Sequence, residues 1–130
     1  MTKLLLDTQA FLWFVENDKQ LPSGIKLELE GTSNQISISI ASLWEMAIKI
    51  SLGKLQVTCS MEEMIDKIKS NGFEILPILP EHIIMLGALE YFHRDPFDRI
   101  IIAHGLSENM PIVSSDKVFD QYGVNRKWNK

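Results

Sequence analysis

The sequence predicts an α/β chain, a three-layer sandwich in which a mainly parallel central sheet carries helices on both faces. Three observations lead there. Short apolar runs of buried-strand type recur along the chain, as at Lys3 to Leu6 and Pro111 to Val113. Segments with apolar residues at helical spacing separate them. Strands joined through helices pair in parallel by right-handed crossovers, and the joining helices cover both faces of the sheet. Such sheets take their ligands at the carboxyl ends of the strands.

Each element has its own local reason. Thr8 to Glu16 carries Phe11, Phe14 and Val15 at helical spacing directly after the first strand. Ile25 and Leu29, four apart after Pro22-Ser23, predict a helix over Pro22 to Glu30 that stops at Gly31, with Gly31-Thr32-Ser33-Asn34 as a turn. From Ile36 to Ile40 apolar and polar residues alternate with period two, a strand signal. The period then becomes helical through Ala41, Trp44, Ala47, Ile48 and Leu52, and Gly53 closes that helix. A helix over Met61 to Ser70 ends at Asn71-Gly72 and leads into a strand at Phe73 to Leu76; another helix spans about Pro80 to Leu89. Asp95-Pro96-Phe97-Asp98 opens a helix that runs out near Asn109. Pro111-Ile112-Val113 then forms a buried strand ending at Ser114-Ser115-Asp116, and a short helix and a strand at Val124 complete the order.

A chain of 130 residues fits one domain over 1–130 around a core of ordinary size. With 45% hydrophobic and 23% charged residues it has enough apolar surface to offset chain ordering, so disorder is confined to the ends. The lone Cys59 can form neither an internal disulfide nor a thiolate metal cage, which suits a reducing compartment. Asp7 interrupts the apolar start too early for a signal peptide and no later stretch approaches a membrane span, so a cytoplasmic location is expected, with no membrane partner. A net charge of -4 argues against a general DNA-coating protein. Nucleic acid is not excluded, because clustered acids holding divalent ions would account for that excess and reverse the sign met by a phosphate. The tail from Asn125 to Lys130, with Lys117, offers either a small basic footprint or a solvated end with Trp128 against the core.

Four acids draw attention to themselves by position. Asp7 and Asp116 follow strands directly and should project at one sheet edge, while Glu45 and Asp98 fall in line with apolar helical stripes. Glu45 aligns with Ala41, Ile48 and Leu52; Asp98 aligns with Ile101, Ile102 and Gly105. Each acid alone has a plainer account. Asp7, Asp116 and Asp95 can be helix N-caps, Asp98 suits the positive end of a helix dipole, and Glu45 stands four residues before Lys49 as a surface ion pair worth about 0.3 kcal/mol. The set together is better explained by a shared cation, because charges beside an apolar core are costly and repel one another.

Oxygen ligands without clustered cysteine or histidine select Mg²⁺, or Mn²⁺, over zinc. Such an ion acidifies a water that attacks a phosphodiester and stabilises the transition state and leaving oxygen. His82, His93 and His104 fall at eleven-residue intervals with no recognised ligand spacing. His93 adjoins the acids and could reach a phosphate or a proton.

With these residues in place, the chain resembles a PIN-domain ribonuclease of the VapC toxin type, from a type II toxin-antitoxin system. The similarity runs through Leu4-Leu5-Leu6-Asp7-Thr8, Ser39-Ile40-Ala41-Ser42-Leu43-Trp44-Glu45-Met46, His93-Arg94-Asp95-Pro96-Phe97-Asp98-Arg99 and Ser114-Ser115-Asp116. The ordered series is specific although no single tetrapeptide is. The resemblance implies that Asp7, Glu45, Asp98 and Asp116 form the acidic quartet binding Mg²⁺ or Mn²⁺, that Asp95 belongs to an extended motif, and that Thr8 and Ser115 are small hydroxyl positions flanking the centre. It implies a PIN-like fold, RNA as substrate, a cognate small antitoxin protein and a homodimer. In the mechanism that follows, Asp7 and Asp98 ligate the main ion, Asp116 completes the shell or holds a water, and Glu45 orients that water or binds a second ion. Arg99 and Lys117 are the candidates for phosphate contact, and Trp13, Phe14 and Trp44 are expected in the core. Two other classes remain: a non-catalytic interaction module of the same fold, and an aspartyl-phosphate phosphatase or phosphotransferase using Asp7. The latter lacks the second acid two residues on, where Gln9 stands.

Overall fold

The computed structural model describes residues 2–31 and 33–128. Its sheet has five strands, β1 (Lys3–Leu6), β2 (Gln35–Ser39), β3 (Glu74–Leu76), β4 (Ile112–Val113) and β5 (Arg126–Lys127), all parallel in the order β3-β2-β1-β4-β5. The helices are α1 (Thr8–Val15), α2 (Ser23–Glu30), α3 (Ile40–Ser51), α4 (Met61–Ser70), α5 (Pro80–Ala88) and α6 (Pro96–Glu108), with a 3-10 turn at Lys117–Tyr122. The fold is therefore the expected three-layer α/β sandwich.

The two faces of β1 divide the core. Leu4 and Leu6 point toward Phe11, Ile25, Met46, Met64 and Ile68 from α1 to α4, whereas Leu5 points toward Ile101, Ile102 and Phe119. This is strand alternation applied to a sheet covered on both sides. The serines of β2 follow the same logic with a twist: Ser37 and Ser39 are buried too, and Ser39 lies 3.4 Å from His104 Nε2. Period-two alternation here separates two covered faces, not core from water.

Strand order reverses between β1 and β4, because the chain builds β1, β2 and β3 outward on one side and returns to place β4 on the other. That junction opens a crevice beyond the carboxyl ends of the strands. Asp7 and Asp116 lie at this edge, Asp7 immediately after β1 and Asp116 three residues beyond β4.

Some expectations change. The last strand is Arg126–Lys127, not Val124: Gly123, at φ +76, ends the 3-10 turn, and the chain needs Val124 and Asn125 to return to β4. Its charged residues suit an outermost strand. On α3 the buried side is Ala41, Ser42, Leu43, Glu45 and Met46, while Trp44 and Ala47, three residues apart, lie on its exposed face and Leu52, its C-cap, is exposed. Trp44 packs edge-on against Phe97 at 5.1 Å and is otherwise open to solvent, which corrects its core assignment. Trp13 and Phe14 are partly buried against the core. Trp128 packs on Trp13 at 5.8 Å, Arg126 pairs with Asp120, and Lys127 approaches Glu28 at 3.6 Å, so the described part of the basic tail is engaged with the protein. Met1, Thr32, Asn129 and Lys130, and with them part of the Gly31–Asn34 turn and of the tail, lie outside the described residues. Among the described residues no helix is long and apolar enough to cross a membrane.

Candidate active site

The four acids named from sequence line one cleft of about 340 Å³, together with Thr8, Asp95 and Ser115. Two of them begin helical segments while facing it. The Asp7 side chain caps α1 by accepting the Ala10 N–H through Oδ1 at 2.8 Å, and Asp116 caps the 3-10 turn by accepting the Val118 N–H through Oδ1 at 3.0 Å. Capping uses one carboxylate oxygen, so the cap and the cleft are not competing explanations. Asp95 spends Oδ1 on the N–H groups of Phe97 and Asp98, at 2.8 and 3.2 Å, and is the cap of α6. Asp98, in the first turn of α6, makes no cap bond of its own.

Electrostatics mark two of these acids. Burial pushes the Asp7 carboxyl up to about 6, aided by the charges of Asp116 and Glu45 and opposed by hydrogen bonds from Ser114 and the Ala10 N–H. Asp98 is pushed up to about 8, first by burial and then by the charges of Asp95, Asp7, Glu45 and Asp116. Desolvation and like charge both disfavour ionisation of an acid. A set of carboxylates that repel one another in a partly dry cleft fits a hard divalent cation, which would relieve both penalties at once.

Glu45 is fully engaged by the protein. Its Oε1 accepts the Thr8 hydroxyl at 2.7 Å, Thr8 lies 2.8 Å from the Ser42 hydroxyl, and its Oε2 accepts Lys49 Nζ at 2.6 Å. The Glu45–Lys49 pair is thus present as the four-residue spacing suggests, but Glu45 is buried and the pair sits on the wall of the cleft. The Glu45 bond holds the Lys49 ammonium above its ordinary value, with Asp95 and Asp98 adding to it.

His93 stands between two of the acids, its Nε2 2.8 Å from Asp116 Oδ2 and 3.1 Å from Asp98 Oδ2. The ligating atoms of these three residues all lie within 4.8 Å of one another.

Arg99 does not reach the cleft. Its guanidinium is buried, donates to the carbonyl of Glu90 at 2.9 Å and to that of Leu86 at 3.5 Å, and lies 4.6 Å from the centre of the Tyr91 ring. Long side chains on the inner face of α6 bury their stems, and Arg99 finds backbone acceptors there; its expected phosphate contact is withdrawn. Lys117 remains exposed. The cations on the cleft wall are instead Lys49 and Lys54. Lys49 carried a signal in its spacing from Glu45; Lys54, in the loop after α3, carried none. Ser114 was likewise missed as a functional position, although its place two residues before Asp116 is the spacing at which a serine hydroxyl accepts a backbone N–H, as it does from Asp116 at 3.0 Å.

Comparison with known proteins gives a consistent picture. The PIN domain family model matches residues 4–125. Among solved structures, the chain is similar to VapBC2 from Rickettsia felis bound to a DNA fragment from its promoter, with 19% identity, a TM-score of 0.74 and coverage of 98% of this chain and 100% of that one. It is also similar to FitAcB from Neisseria gonorrhoeae (15% identity, TM-score 0.63, 97% and 96% covered). A third is VapBC-5 from Mycobacterium tuberculosis, a member of the VapBC family of toxin-antitoxin systems (17% identity, TM-score 0.62, 98% and 97% covered). No curated protein sequence matches.

Proposed function

The chain belongs to the PIN-domain family, and from that premise we propose that it is a Mg²⁺- or Mn²⁺-dependent endoribonuclease, the VapC-type toxin of a toxin-antitoxin pair. One observation carries the reading: buried Asp7 and Glu45 and half-buried Asp98 and Asp116, mutually repelling carboxylates from four separate stretches of sequence, meet in one cleft at the strand-order reversal. Asp7 and Asp98 would hold the ion, with Asp116 beside them. When bound, the divalent ion acidifies a water and stabilises charge on the phosphodiester and the leaving oxygen.

The chain's own residues set the geometry. The Ala10 N–H fixes Asp7 and the Val118 N–H fixes Asp116, each through Oδ1, while Asp116 Oδ2 meets His93 Nε2. Thr8 and Lys49 hold both oxygens of Glu45, so Glu45 orients water through a rigid network and is not free to take a second ion without breaking one of those bonds. Lys49 and Lys54 supply positive charge on the same wall, where a flanking phosphate would lie. Asp95 is assigned to the cap of α6, from which its charge acts on Asp98. Ser115, exposed on the rim, is a candidate contact for substrate or water.

The partners belong to the same reading. A solved relative of this fold is named as a member of the VapBC family of toxin-antitoxin systems, and this chain offers apolar surface for association: Ile40 and Trp44 on α3, Leu52 at its C-cap, and Ile83 and Ile84 on α5 are exposed. We assign these faces to a homodimer. A groove of about 540 Å³ that includes Leu12, Trp13 and Val57 adjoins the acid cleft and is assigned to the small antitoxin. The phosphotransferase alternative is disfavoured because Gln9 lines the cleft where a second acid would be required.

The test is expression of wild type and Asp7→Asn in a bacterial host, with mapping of new RNA 5′ ends, and incubation of the purified proteins with RNA and Mg²⁺. Wild type should arrest growth and produce discrete cuts that EDTA abolishes, while the variant should give background cleavage only. Growth arrest and RNA ends identical in the two proteins would remove the nuclease reading and favour an interaction module.

A further inference from the structure

His93 has no part in the steps above, yet it bridges two of the cleft's acids, Asp98 and Asp116. It lies in the segment between α5 and α6 and is tightly held: the backbone N–H groups of Phe92 and His93 donate to the Tyr122 hydroxyl at 2.9 and 2.8 Å, and the ring meets the edge of Phe119 at 5.8 Å. Its two nitrogens have different neighbours. Nδ1 accepts the backbone N–H of Asp95 at 3.1 Å, so it carries no proton, and the proton of a neutral imidazole must then sit on Nε2. That Nε2–H faces Asp116 Oδ2 and Asp98 Oδ2 together, at 2.8 and 3.1 Å.

A nitrogen bearing a proton has no lone pair to offer a metal. The cluster of His93, Asp98 and Asp116 has the spacing of a three-ligand site, but the Asp95 N–H makes the imidazole a donor in it. We propose that His93 is a positioning residue which fastens Asp98 and Asp116 side by side through one shared N–H, leaving the carboxylates as the only ligands this cluster gives to a divalent ion. The inference deepens the metal-dependent reading and rests on it. Its physical sense is that one N–H donor shared between two acids draws them together while taking no coordination position of the ion. Two bonds of Asp95 serve one end: its side chain caps α6 and so places Asp98, while its backbone N–H sets the proton of the ring that holds Asp98. Partners of this kind, one step removed from the metal, commonly change affinity by about 10–100-fold when lost.

Two measurements on the full chain decide it. Long-range ¹H–¹⁵N correlation of the imidazoles should show His93 with Nδ1 unprotonated and Nε2 protonated, in EDTA and again with saturating Mg²⁺. A protonated Nδ1, or an Nε2 that loses its proton when Mg²⁺ is added, overturns the proposal. Calorimetric titration with Mg²⁺ should give a Kd about 10–100-fold weaker for His93→Leu, which is similar in size but has no donor, and largely restored for His93→Gln, whose amide N–H reaches toward the position of Nε2. Equal affinity of His93→Leu and wild type overturns it, as does a His93→Gln no better than His93→Leu. If His93→Leu does not fold, the tautomer of the wild-type ring still decides. Wild type with the stated tautomer but no Mg²⁺ binding would overturn the nuclease reading itself, a result distinct from failure of the donor assignment.

Discussion

Asp98 shows how one residue of a candidate site can weaken a fold. Its carboxyl is pushed up to about 8 from an ordinary 3.8, chiefly by burial and then by four neighbouring acids. An acid whose value is raised by folding costs nothing below its unfolded value. The cost grows as pH rises toward the folded value and is complete above it, since the unfolded chain ionises first. In metal-free protein, Asp98→Asn should therefore be more stable than wild type by roughly 1–3 kcal/mol at pH 8, with the difference vanishing near pH 4. Urea unfolding in EDTA at the two pH values measures it, and a variant less stable than wild type at pH 8 would show that Asp98 is not under electrostatic strain. The sequence pointed to Asp98 because an acid lay in register with Ile101 and Ile102, both fully buried. It pointed equally to Arg99 by adjacency, and there it misled. Which of two neighbouring polar residues on α6 turns to the cleft depends on the backbone carbonyls of Glu90 and Leu86, brought close only by tertiary packing.

At the scale of elements, α6 determines whether the acids meet at all. It carries Asp98, and it docks on β4, whose end leads to Asp116, through Gly105. A β-carbon added there would come within 2.5 Å of Ile112 Cδ1 and 2.8 Å of Cγ1, with the Met110 carbonyl oxygen at 3.3 Å. Ile112 is fully buried and cannot simply swing out. Gly105→Ala should thus cost about 1–3 kcal/mol by overpacking, despite the better helix propensity of alanine. Because helix and strand would separate slightly, Mg²⁺ affinity should fall with it. Thermal unfolding and Mg²⁺ titration check both; a variant at least as stable as wild type would place the α6–β4 contact elsewhere. Element order was legible because strand and helix periods differ and the punctuation is strong: Pro96 and Asn109 bracket α6, and Asn71-Gly72 closes α4. What was not legible was the far end of α3, where Leu52 is the exposed C-cap, and the two-residue β5, whose place is set by pairing to β4 and not by its own charged residues.

For the whole molecule, the proposed metal site would make stability and metal binding two readings of one quantity. Folding gathers Asp7, held at about 6, and Asp98, held at about 8, into a cleft that disfavours their ionisation. Between about pH 4 and pH 8 these two acids keep protons in the folded protein that the unfolded chain has released, so their contribution to stability should fall as pH rises through that window, whereas His104, lowered by burial to about 4, acts the other way only up to about 6.5. A divalent ion acts in the opposite direction. Bound as proposed, it would favour the ionised carboxylates of the folded state, expel those protons, and add RT ln(1 + [Mg²⁺]/Kd), about 2.7 kcal/mol at a hundred times Kd. Metal-free wild type should lose several degrees of Tm between pH 5 and pH 8. Saturating Mg²⁺ should do little at pH 5 and raise Tm most at pH 8, reversing the slope. Asp7→Asn, which removes one carboxylate from the set, should flatten both curves, weakening the Mg²⁺ effect and the metal-free decline together. Scanning calorimetry over that range with EDTA or Mg²⁺ measures all four curves. A Tm that Mg²⁺ raises equally at every pH, or equally in the variant, would separate the ion from these acids and leave their burial to be explained by structure alone.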